Sequence, residues 1–331
     1  MQTLPADMAV IEMSSAGGPE VLVPGRRPAP RPGPGEVLIR VEAAGVNGPD
    51  LMQRKGLYPP PPGASDLLGL EVAGEIVALG DGVTRWALGD QVTALTNGGG
   101  YAEFCAVDER HCLAVPKGVS VRDAAGLPET FFTVWSNIFM GVGLKPGETL
   151  LVPGGAGGIG TTAIQLAKAF GAKVIATDSP EERCDLCRDL GADRAIDYKH
   201  EDFVEVVRQE GGANVILDIV GGPNIERNMK AASPDARIVQ LAFPLGSKVE
   251  INLMPVMLKR LTYTGSTLRT RPPAFKARIA AELAEQVWPH IESGRIRVVT
   301  HRAFPLAEAA AAHALMESAA HTGKILLVPG A

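Results

Sequence analysis

The chain has 331 residues, which is enough for about two domains that each bury a core. Hydrophobic residues make up 46% and charged residues 21%, a composition that is ordinary for a globular protein and excludes a disordered chain. The net charge of -5 and the lack of any basic stripe exclude nucleic acids and acidic membrane surfaces as main partners.

The N-terminal segment, the length of the apolar runs and the cysteines indicate the cellular compartment. The segment from Met1 to Val10 lacks the basic start and apolar core of a secretory signal, and no run of about 18 apolar residues spans a bilayer. We therefore expect a cytoplasmic protein. Four cysteines are too few and too unevenly placed for a disulfide framework, so we expect packed thiols; Cys184-x-x-Cys187 lacks the second ligand pair of a zinc site.

The first part of the chain, up to about Gly126, is rich in glycine and proline and contains short apolar or alternating runs such as Val37–Val41. Turn signals at Pro30–Gly35 and Gly80–Gly82 separate these runs. This pattern predicts a small, mostly β domain with long loops.

After Pro128 strand-like runs alternate with helical stretches. Such a series predicts a doubly wound parallel sheet, because parallel neighbours need crossover connections that bury both faces of the sheet. The six predicted strands are Thr149–Val152, Lys173–Thr177, Arg194–Ile196, Val215–Val220, Arg237–Ala242 and Leu261–Gly265.

From Pro272 onward the sequence predicts a long helix over Ala274–Ile291, a second helix from Leu306 to about Ser318, and a last strand over Lys324–Val328. The pattern alone does not say which sheet the last strand joins.

A glycine-rich turn carries the strongest functional signal. Gly155, Ala156, Gly157, Gly158, Ile159 and Gly160 fit G-x-G-x-x-G. The buried run Thr149–Val152 precedes this turn, and a helical stretch ended by Gly171 follows it. Bare backbone and a helix N-terminus suit a pyrophosphate, so we expect a nicotinamide dinucleotide here. A tight turn without a ligand is the structural alternative.

The subtype of the dinucleotide stays open in the sequence. Asp178 ends the next strand, about twenty residues beyond the glycines, where a carboxylate accepts from the ribose hydroxyls of NADH. Arg183 lies five residues further and suits the extra phosphate of NADPH, with help from Tyr198. Alternatively, Arg183 belongs to a solvated helix. Asp178 gives a slight lean to NADH.

Several segments resemble the medium-chain dehydrogenase/reductase superfamily, and within it the zinc-free NAD(P)H quinone oxidoreductase branch. The resemblance covers nearly the whole chain, and its most specific segments are Gly45–Arg54, Tyr58–Gly63, Leu68–Gly74, Leu127–Thr130 and Leu261–Arg269. It implies an α/β fold with two parts. These are a GroES-like, mostly β catalytic domain over residues 1–126, completed by 272–331, and a doubly wound Rossmann domain over 127–271.

The resemblance also argues against a metal. Zinc-dependent members carry Cys where this chain has Asn47 and His where it has Leu70. Leucine cannot ligate zinc, and an amide oxygen replaces a thiolate poorly. The cysteine-rich lobe that holds a structural zinc in those relatives is absent as well. We therefore expect no zinc.

Site residues follow from the same resemblance. It places Asn47 and Tyr58 on the substrate side of the nicotinamide and Thr133 on its carboxamide or ribose side, where they position the substrate and stabilise its oxyanion. It further assigns Phe243 and Thr267 to cofactor binding. The structural alternatives are a turn residue for Asn47, beside Gly48–Pro49, and a ring packed on prolines for Tyr58.

Two further features bear on the cofactor and the assembly. Asp178 and Ser179–Pro180 replace the small residues expected in the branch, which disfavours its usual NADPH preference, and Gly157 stands where many relatives have serine. The segment Leu261–Leu268 alternates threonine with apolar residues, as an exposed sheet edge does, and in relatives this strand pairs across a two-fold axis. We therefore expect a homodimer, with a monomer protected by the charges of Arg269–Arg271 as the alternative.

The expected function is reduction of a quinone by hydride transfer from NADH or NADPH. Without a Lewis acid an unactivated ketone is a difficult substrate, whereas a quinone gains aromatic stability on reduction. One alternative is an enone or enoyl reductase acting on a conjugated carbonyl compound such as a 2-alkenal or enoyl thioester; a basic patch for coenzyme A would favour it. Another is an NAD(P)H-binding protein without turnover.

Overall fold

The computed structural model describes residues 4–330, so that the first three residues of the Met1–Val10 segment lie outside the described part, as does Ala331. The chain divides into two units. One contains the chain up to Phe132 and from Arg269 onward, and the other contains Thr133–Leu268. The resemblance places the domain boundaries after residue 126 and before residue 272.

The N-terminal part of the first unit is rich in strands, as its glycine and proline content predicts. Its strands are β1 (Asp7–Met13), β2 (Leu22–Pro28), β3 (Glu36–Val46), β4 (Glu71–Leu79), β5 (Gln91–Leu95), β6 (Phe104–Asp108) and β7 (Cys112–Ala114). Its helices are α1 (Gly48–Arg54) and α2 (Val121–Ala124). A third helix, α3 (Pro128–Val134), begins in the first unit and ends in the second, where it continues as a π-helical turn over Trp135–Gly141.

The second unit alternates strands and helices. Its strands are β8 (Thr149–Pro153), β9 (Lys173–Asp178), β10 (Arg194–Asp197), β11 (Ala213–Asp218), β12 (Ala232–Gln240) and β13 (Thr262–Gly265). Its helices are α4 (Gly158–Ala169), α5 (Glu181–Asp189), α6 (Phe203–Gln209), α7 (Asn224–Ala231) and α8 (Met254–Leu258).

The C-terminal part returns to the first unit. It contains α9 (Pro273–Glu282), a π-helical turn (Leu283–Val287), α10 (Trp288–Glu292), β14 (Thr300–Pro305), α11 (Ala309–Glu317) and β15 (Lys324–Val328). β15 pairs antiparallel with β3, with Ile325 opposite Val46. This pairing brings Lys324 beside Asn47, although 277 residues separate them along the chain.

The main sheet of the first unit has the order β14-β15-β3-β4-β5-β7 within residues 4–330, and β6 also pairs with β3. Alternate residues of these strands are buried in one core, which includes Val37, Ile39, Val72 and Ile325. Packing of this kind fixes the two strand ends, Val46 and Glu71, from which the polar side chains described below project.

In the second unit the sheet order is β10-β9-β8-β11-β12-β13, and every pairing that the structure describes there is parallel. β8 is buried along its whole length, as a strand covered by helices on both faces must be. This confirms the expected mixed α/β fold with a doubly wound parallel sheet.

Some predicted limits are wrong. The fourth strand of this sheet ends at Asp218 and not at Val220, because Oδ1 of Asp218 accepts the N–H groups of Val220 and Gly221 and turns the chain. The next strand starts earlier than predicted, at Ala232, and ends at Gln240. The predicted helix over Ala274–Ile291 contains the π-helical turn, which accommodates Pro289 because proline cannot donate to an α-helical ladder.

Two expectations about the whole chain are tested by the described residues. The cysteines are free and buried, as expected of packed thiols. Between residues 4 and 330 no helix is both long and apolar enough to cross a membrane.

Candidate functional site

The glycine-rich turn joins β8 to the N-terminus of α4. Gly157 caps this twelve-residue helix with an extended backbone conformation, and its carbonyl accepts the N–H of Thr161 at 2.8 Å. The first N–H groups of an α-helix have no partner within the helix. Those of Gly158, Ile159 and Gly160 therefore lie at the positive end of the helix dipole, where an anion is stabilised.

Steric contacts explain which glycines the turn requires. A Cβ atom on Gly160 would lie 2.3 Å from the carbonyl oxygen of Gly154, and one on Gly155 would lie 2.7 Å from Sγ of Cys187. Both positions exclude a side chain. A Cβ atom on Gly157 would meet only the Gly154 oxygen at 3.6 Å, so this position faces open space.

Asp178 braces the turn from the end of β9. Its Oδ2 accepts the N–H of Ala156 at 2.8 Å, and its Oδ1 accepts the N–H of Ser179 at 2.9 Å. Nε of Arg183 donates to the same Oδ1 at 2.6 Å, in an ion pair whose side chains are 15% and 6% exposed. Asp178, which favours NADH, and Arg183, which suits NADPH, are therefore paired with each other.

The other predicted cofactor residues differ in position. Tyr198 is half-exposed and follows β10, and its N–H donates to the carbonyl of Asp178. Phe243 is also half-exposed and lies against Gly221, in the loop that follows β12. Thr267 is exposed and follows β13. Tyr198 and Phe243 thus follow strands at the carboxyl edge of the sheet, where open α/β sheets bind ligands.

Asn47 is buried at the end of β3 and begins α1. Its Nδ2 donates to Oε1 of Glu71 at 2.8 Å, and its Oδ1 accepts from Nζ of Lys324. Its backbone N–H donates to Asp50 at 2.9 Å. Both ends of the amide are thus engaged, and the turn position that the sequence offered as an alternative is the start of a helix.

Glu71 and Lys324 form a buried ion pair beside this amide, with 2.6 Å between Nζ and Oε1 and side-chain exposures of 0% and 6%. The second carboxylate oxygen of Glu71 accepts the N–H of Glu129 at 2.7 Å, at the start of α3. Burial and the neighbouring Glu71 raise the pKa of Glu129 to about 8. Burial likewise raises the pKa of Asp50 to about 6.

Tyr58 lies in a second polar group of the first unit. The guanidinium carbon of Arg269 lies 5.6 Å from the centre of its ring. Arg269 donates to Gln53 and to the carbonyl of Asn97, and Lys276 donates to Oδ1 of Asn97 at 2.6 Å. Burial lowers the pKa of Lys276 to about 8 and raises that of the Tyr58 hydroxyl.

Thr133 belongs to the second unit and is half-buried in α3. Its carbonyl accepts from Nδ2 of Asn137 at 2.8 Å. Oδ1 of Asn137 accepts from Ser266 at 2.6 Å, which links the helix to the segment after β13.

Four titratable residues of the first unit were not singled out in the sequence: Glu71, Glu129, Lys276 and Lys324. Glu71 and Glu129 do lie within the segments that carry the family resemblance, which is the one signal that pointed to them. The pairing of Lys324 with Glu71 depends on the return of β15 to β3, which no local pattern predicts. Among residues 4–330 no three His, Cys, Asp or Glu side chains are grouped so that they could hold a metal ion.

Comparison with known proteins places these features in a family. Residues 33–117 match the model of the alcohol dehydrogenase GroES-like domain, and residues 158–285 match that of the zinc-binding dehydrogenase. A quinone oxidoreductase of Pseudomonas aeruginosa is 35% identical over 327 residues, covering 96% of this chain and 99% of the relative.

Solved structures agree with this placement. The quinone oxidoreductase of Escherichia coli, complexed with NADPH, has a TM-score of 0.87 at 30% identity and covers 97% of this chain and 100% of its own. The CurK enoyl reductase has a TM-score of 0.85 at 27% identity, covering 98% of this chain and 100% of its own. The chain belongs to the medium-chain dehydrogenase/reductase superfamily, in its quinone oxidoreductase branch.

Proposed function

We propose that this protein binds a reduced nicotinamide dinucleotide at the turn Gly155–Gly160 and uses it to reduce quinones by hydride transfer, without a metal. The observation that carries the proposal is the shape of the turn. Side chains are excluded at Gly155 and Gly160, while Gly157 opens toward free space at the N-terminus of a twelve-residue helix. The NADPH complex of the Escherichia coli relative supports the same reading.

The residues present fit such a cofactor. The N–H groups of Gly158, Ile159 and Gly160 suit a pyrophosphate, and Tyr198 and Phe243 are half-exposed beside the carboxyl edge of the sheet. Thr133 and Thr267 complete the proposed cofactor set. When bound, the dinucleotide supplies the hydride.

We propose NADH as the preferred dinucleotide. Arg183 is held by the Asp178 carboxylate in a largely buried ion pair, and separating the two would leave that carboxylate without this cation. A 2′-phosphate would have to draw Arg183 away from Asp178 and then lie beside that carboxylate. The ribose hydroxyls of NADH can bind without moving Arg183 and without bringing a negative charge beside Asp178.

The donor set does not fit a catalytic zinc. Leu70 is buried and has no ligating atom, and the Asn47 oxygen is bonded to the ammonium group of Lys324. A metal cation there would meet that positive charge. These observations support metal-independent chemistry, although one matching family model is named for zinc binding.

A quinone suits a site that offers hydrogen bonds and cations but no Lewis acid, because reduction makes its ring aromatic. Tyr58 is only partly buried, so its hydroxyl can donate to a quinone oxygen. Asn47 has both amide atoms engaged by Glu71 and Lys324. We therefore propose that Asn47 helps to position the substrate beside the nicotinamide and does not itself donate to the substrate.

The second candidate is reduction of an enone or enoyl thioester, which the likeness to the CurK enoyl reductase favours. A coenzyme A phosphate would need free cations. Arg269, a cation of the first unit, is committed to Gln53 and Asn97. The quinone therefore remains the better supported acceptor.

The direct test is oxidation of NADH and of NADPH by the purified protein with 1,4-benzoquinone, 1,4-naphthoquinone and a 2-alkenal. Oxidation with the quinones supports the proposal, and oxidation with the alkenal alone supports the enoyl alternative. Tight dinucleotide binding without turnover on any acceptor would identify a binding protein that is not an enzyme.

We also propose a homodimer through the strand 261–268. β13 ends the described sheet, its residues are all exposed, and one of its edges is unpaired. Exposed apolar side chains precede β13 in the same unit, at Leu253, Met254, Met257 and Leu258. Light scattering should give twice the mass of one chain, and Thr264→Lys should reduce it to one chain while Gln209→Lys, on an exposed position of α6, leaves it unchanged.

A further inference from the structure

Glu129 is an acidic side chain to which the proposed function gives no role. It is the second residue of α3, and its backbone N–H is held by Glu71 at 2.7 Å. Within residues 4–330 its own carboxyl group makes no hydrogen bond and no ion pair. Thr133, a proposed cofactor residue, follows four positions later in the same helix.

The cations around Glu129 are all committed to other groups. Lys324 is paired with Glu71 and bonded to Asn47. Lys276 donates to Asn97 and to the carbonyl of Arg269. The carboxyl group of Glu129, which both ammonium groups influence without pairing with it, is available for another partner.

The charged and titratable groups that act on Glu129 come from several elements of the first unit. They are Glu71, Asp50, Lys324, Lys276, Tyr58 and Arg269. Burial is the largest influence, Glu71 and Asp50 add to it, and Lys324 and Lys276 oppose it; the resulting pKa of about 8 leaves the carboxyl protonated at neutral pH. Tyr58, which feels the charge of Glu129, is the proposed donor to the substrate oxygen.

We propose that Glu129 is the catalytic acid that gives the proton to the oxygen of the reduced substrate. This inference rests on the proposed function, since it concerns the second half of quinone reduction. A quinone that receives one hydride from the reduced dinucleotide becomes a hydroquinone monoanion.

The remaining step balances with one proton. The O–H bond of the Glu129 carboxyl breaks, a new O–H bond forms on the phenolate oxygen, and the carboxylate of Glu129 regains its proton from solvent. No further reductant or oxidant is needed. Acids are most effective when their pKa lies near the working pH, as it does here.

The experiment compares wild type with Glu129→Gln, Glu129→Asp and Lys276→Met, using 1,4-naphthoquinone and the preferred dinucleotide. The wild-type kcat should fall above about pH 8, where the acid is lost. Glu129→Gln should lower kcat by about 100-fold or more and abolish that pH dependence. Glu129→Asp should restore part of the rate, and dinucleotide binding should match wild type in both variants.

A spectroscopic readout is independent of turnover. In the protein without ligands, infrared difference spectra should show a carboxylic acid band that is lost near pH 8 and is missing in Glu129→Gln. In Lys276→Met the band should persist to higher pH, because a cation that favours the carboxylate is gone. If Glu129 had only a structural role, the midpoint of the infrared titration and the pH dependence of kcat would not change together in these variants.

The outcomes separate the two claims. If wild type reduces the quinone and Glu129→Gln keeps kcat within about threefold with the same pH profile, the inference is overturned and the proposed function stands. A carboxyl band that is already absent at neutral pH also overturns the inference. If wild type oxidises no dinucleotide with any quinone, the proposed function fails and the inference fails with it.

Discussion

The N–H of Ala156 donates to Oδ2 of Asp178 at 2.8 Å, so the last residue of β9 holds the turn that follows β8. The same carboxylate pairs with Arg183. The shape of the glycine-rich turn and the charge next to the proposed ribose site therefore depend on one side chain. Changes at Asp178 should affect both.

The turn itself provides the first prediction. Gly160→Ala should weaken dinucleotide binding by about tenfold or more, because its Cβ would lie 2.3 Å from a backbone oxygen that cannot move without opening the turn. Gly157→Ala is the matched control and should bind normally, since its Cβ would have ordinary contact at 3.6 Å. Fluorescence titration with NADH measures both. Equal losses in the two variants would contradict the steric account.

The Asp178–Arg183 pair provides the second prediction, on cofactor choice. Asp178→Ala should weaken NADH binding and, by removing the carboxylate beside the proposed ribose site, improve NADPH binding relative to NADH. Arg183→Ala should leave NADH the preferred dinucleotide. The measurement is a titration of each variant with both dinucleotides. If Arg183→Ala weakens NADPH alone while Asp178→Ala leaves NADH binding unaffected, the preference for NADH is wrong.

The third prediction concerns the buried pair Lys324–Glu71. Lys324→Met should lower the free energy of unfolding by about 3–5 kcal/mol, because it leaves the Glu71 carboxylate buried without its cation. Arg260→Met breaks the ion pair with Asp235, whose side chains are more than half exposed, and should change stability little. Urea unfolding of both variants decides the point. A small effect of Lys324→Met would show that Glu71 finds another partner.

The fourth prediction is a dependence of stability on pH. His313 is buried between Arg54 and Tyr101, and burial lowers its pKa to about 3. The unfolded chain therefore binds this proton first, near the ordinary pKa of about 6.5, so stability is lost as pH falls from there toward 3. His313→Gln should show a weaker decline in unfolding free energy between pH 7 and pH 4. If the unfolding free energy of His313→Gln declines with falling pH as steeply as that of wild type, other titratable groups cause the loss of stability in acid.

Much of the fold was predictable from the sequence because its signals are local. Each of the six strands of the parallel sheet was found, since apolar runs bounded by turns describe buried strands. Local patterns did not predict strand ends that depend on a side-chain hydrogen bond. Asp218 ends its strand because its Oδ1 accepts two backbone N–H groups and turns the chain.

The site was predictable only in part. The glycine-rich turn is contiguous, and steric contacts exclude a side chain at Gly155 and Gly160. The partners of Asn47, in contrast, come from β4 and β15. The resemblance drew attention to Asn47 as a replaced zinc ligand and gave no sign of its bonds to Glu71 and Lys324. Such long-range pairs follow from sheet topology, which the sequence does not display.

We propose above that a reduced dinucleotide bound at Gly155–Gly160 delivers a hydride to a quinone. The most direct measurement is the loss of nicotinamide absorbance when purified protein, NADH and 1,4-naphthoquinone are mixed, run beside Gly160→Ala. Wild type should oxidise NADH rapidly, and the variant should oxidise little of it at the same dinucleotide concentration. Oxidation at equal rates in both proteins, or in neither, would contradict it.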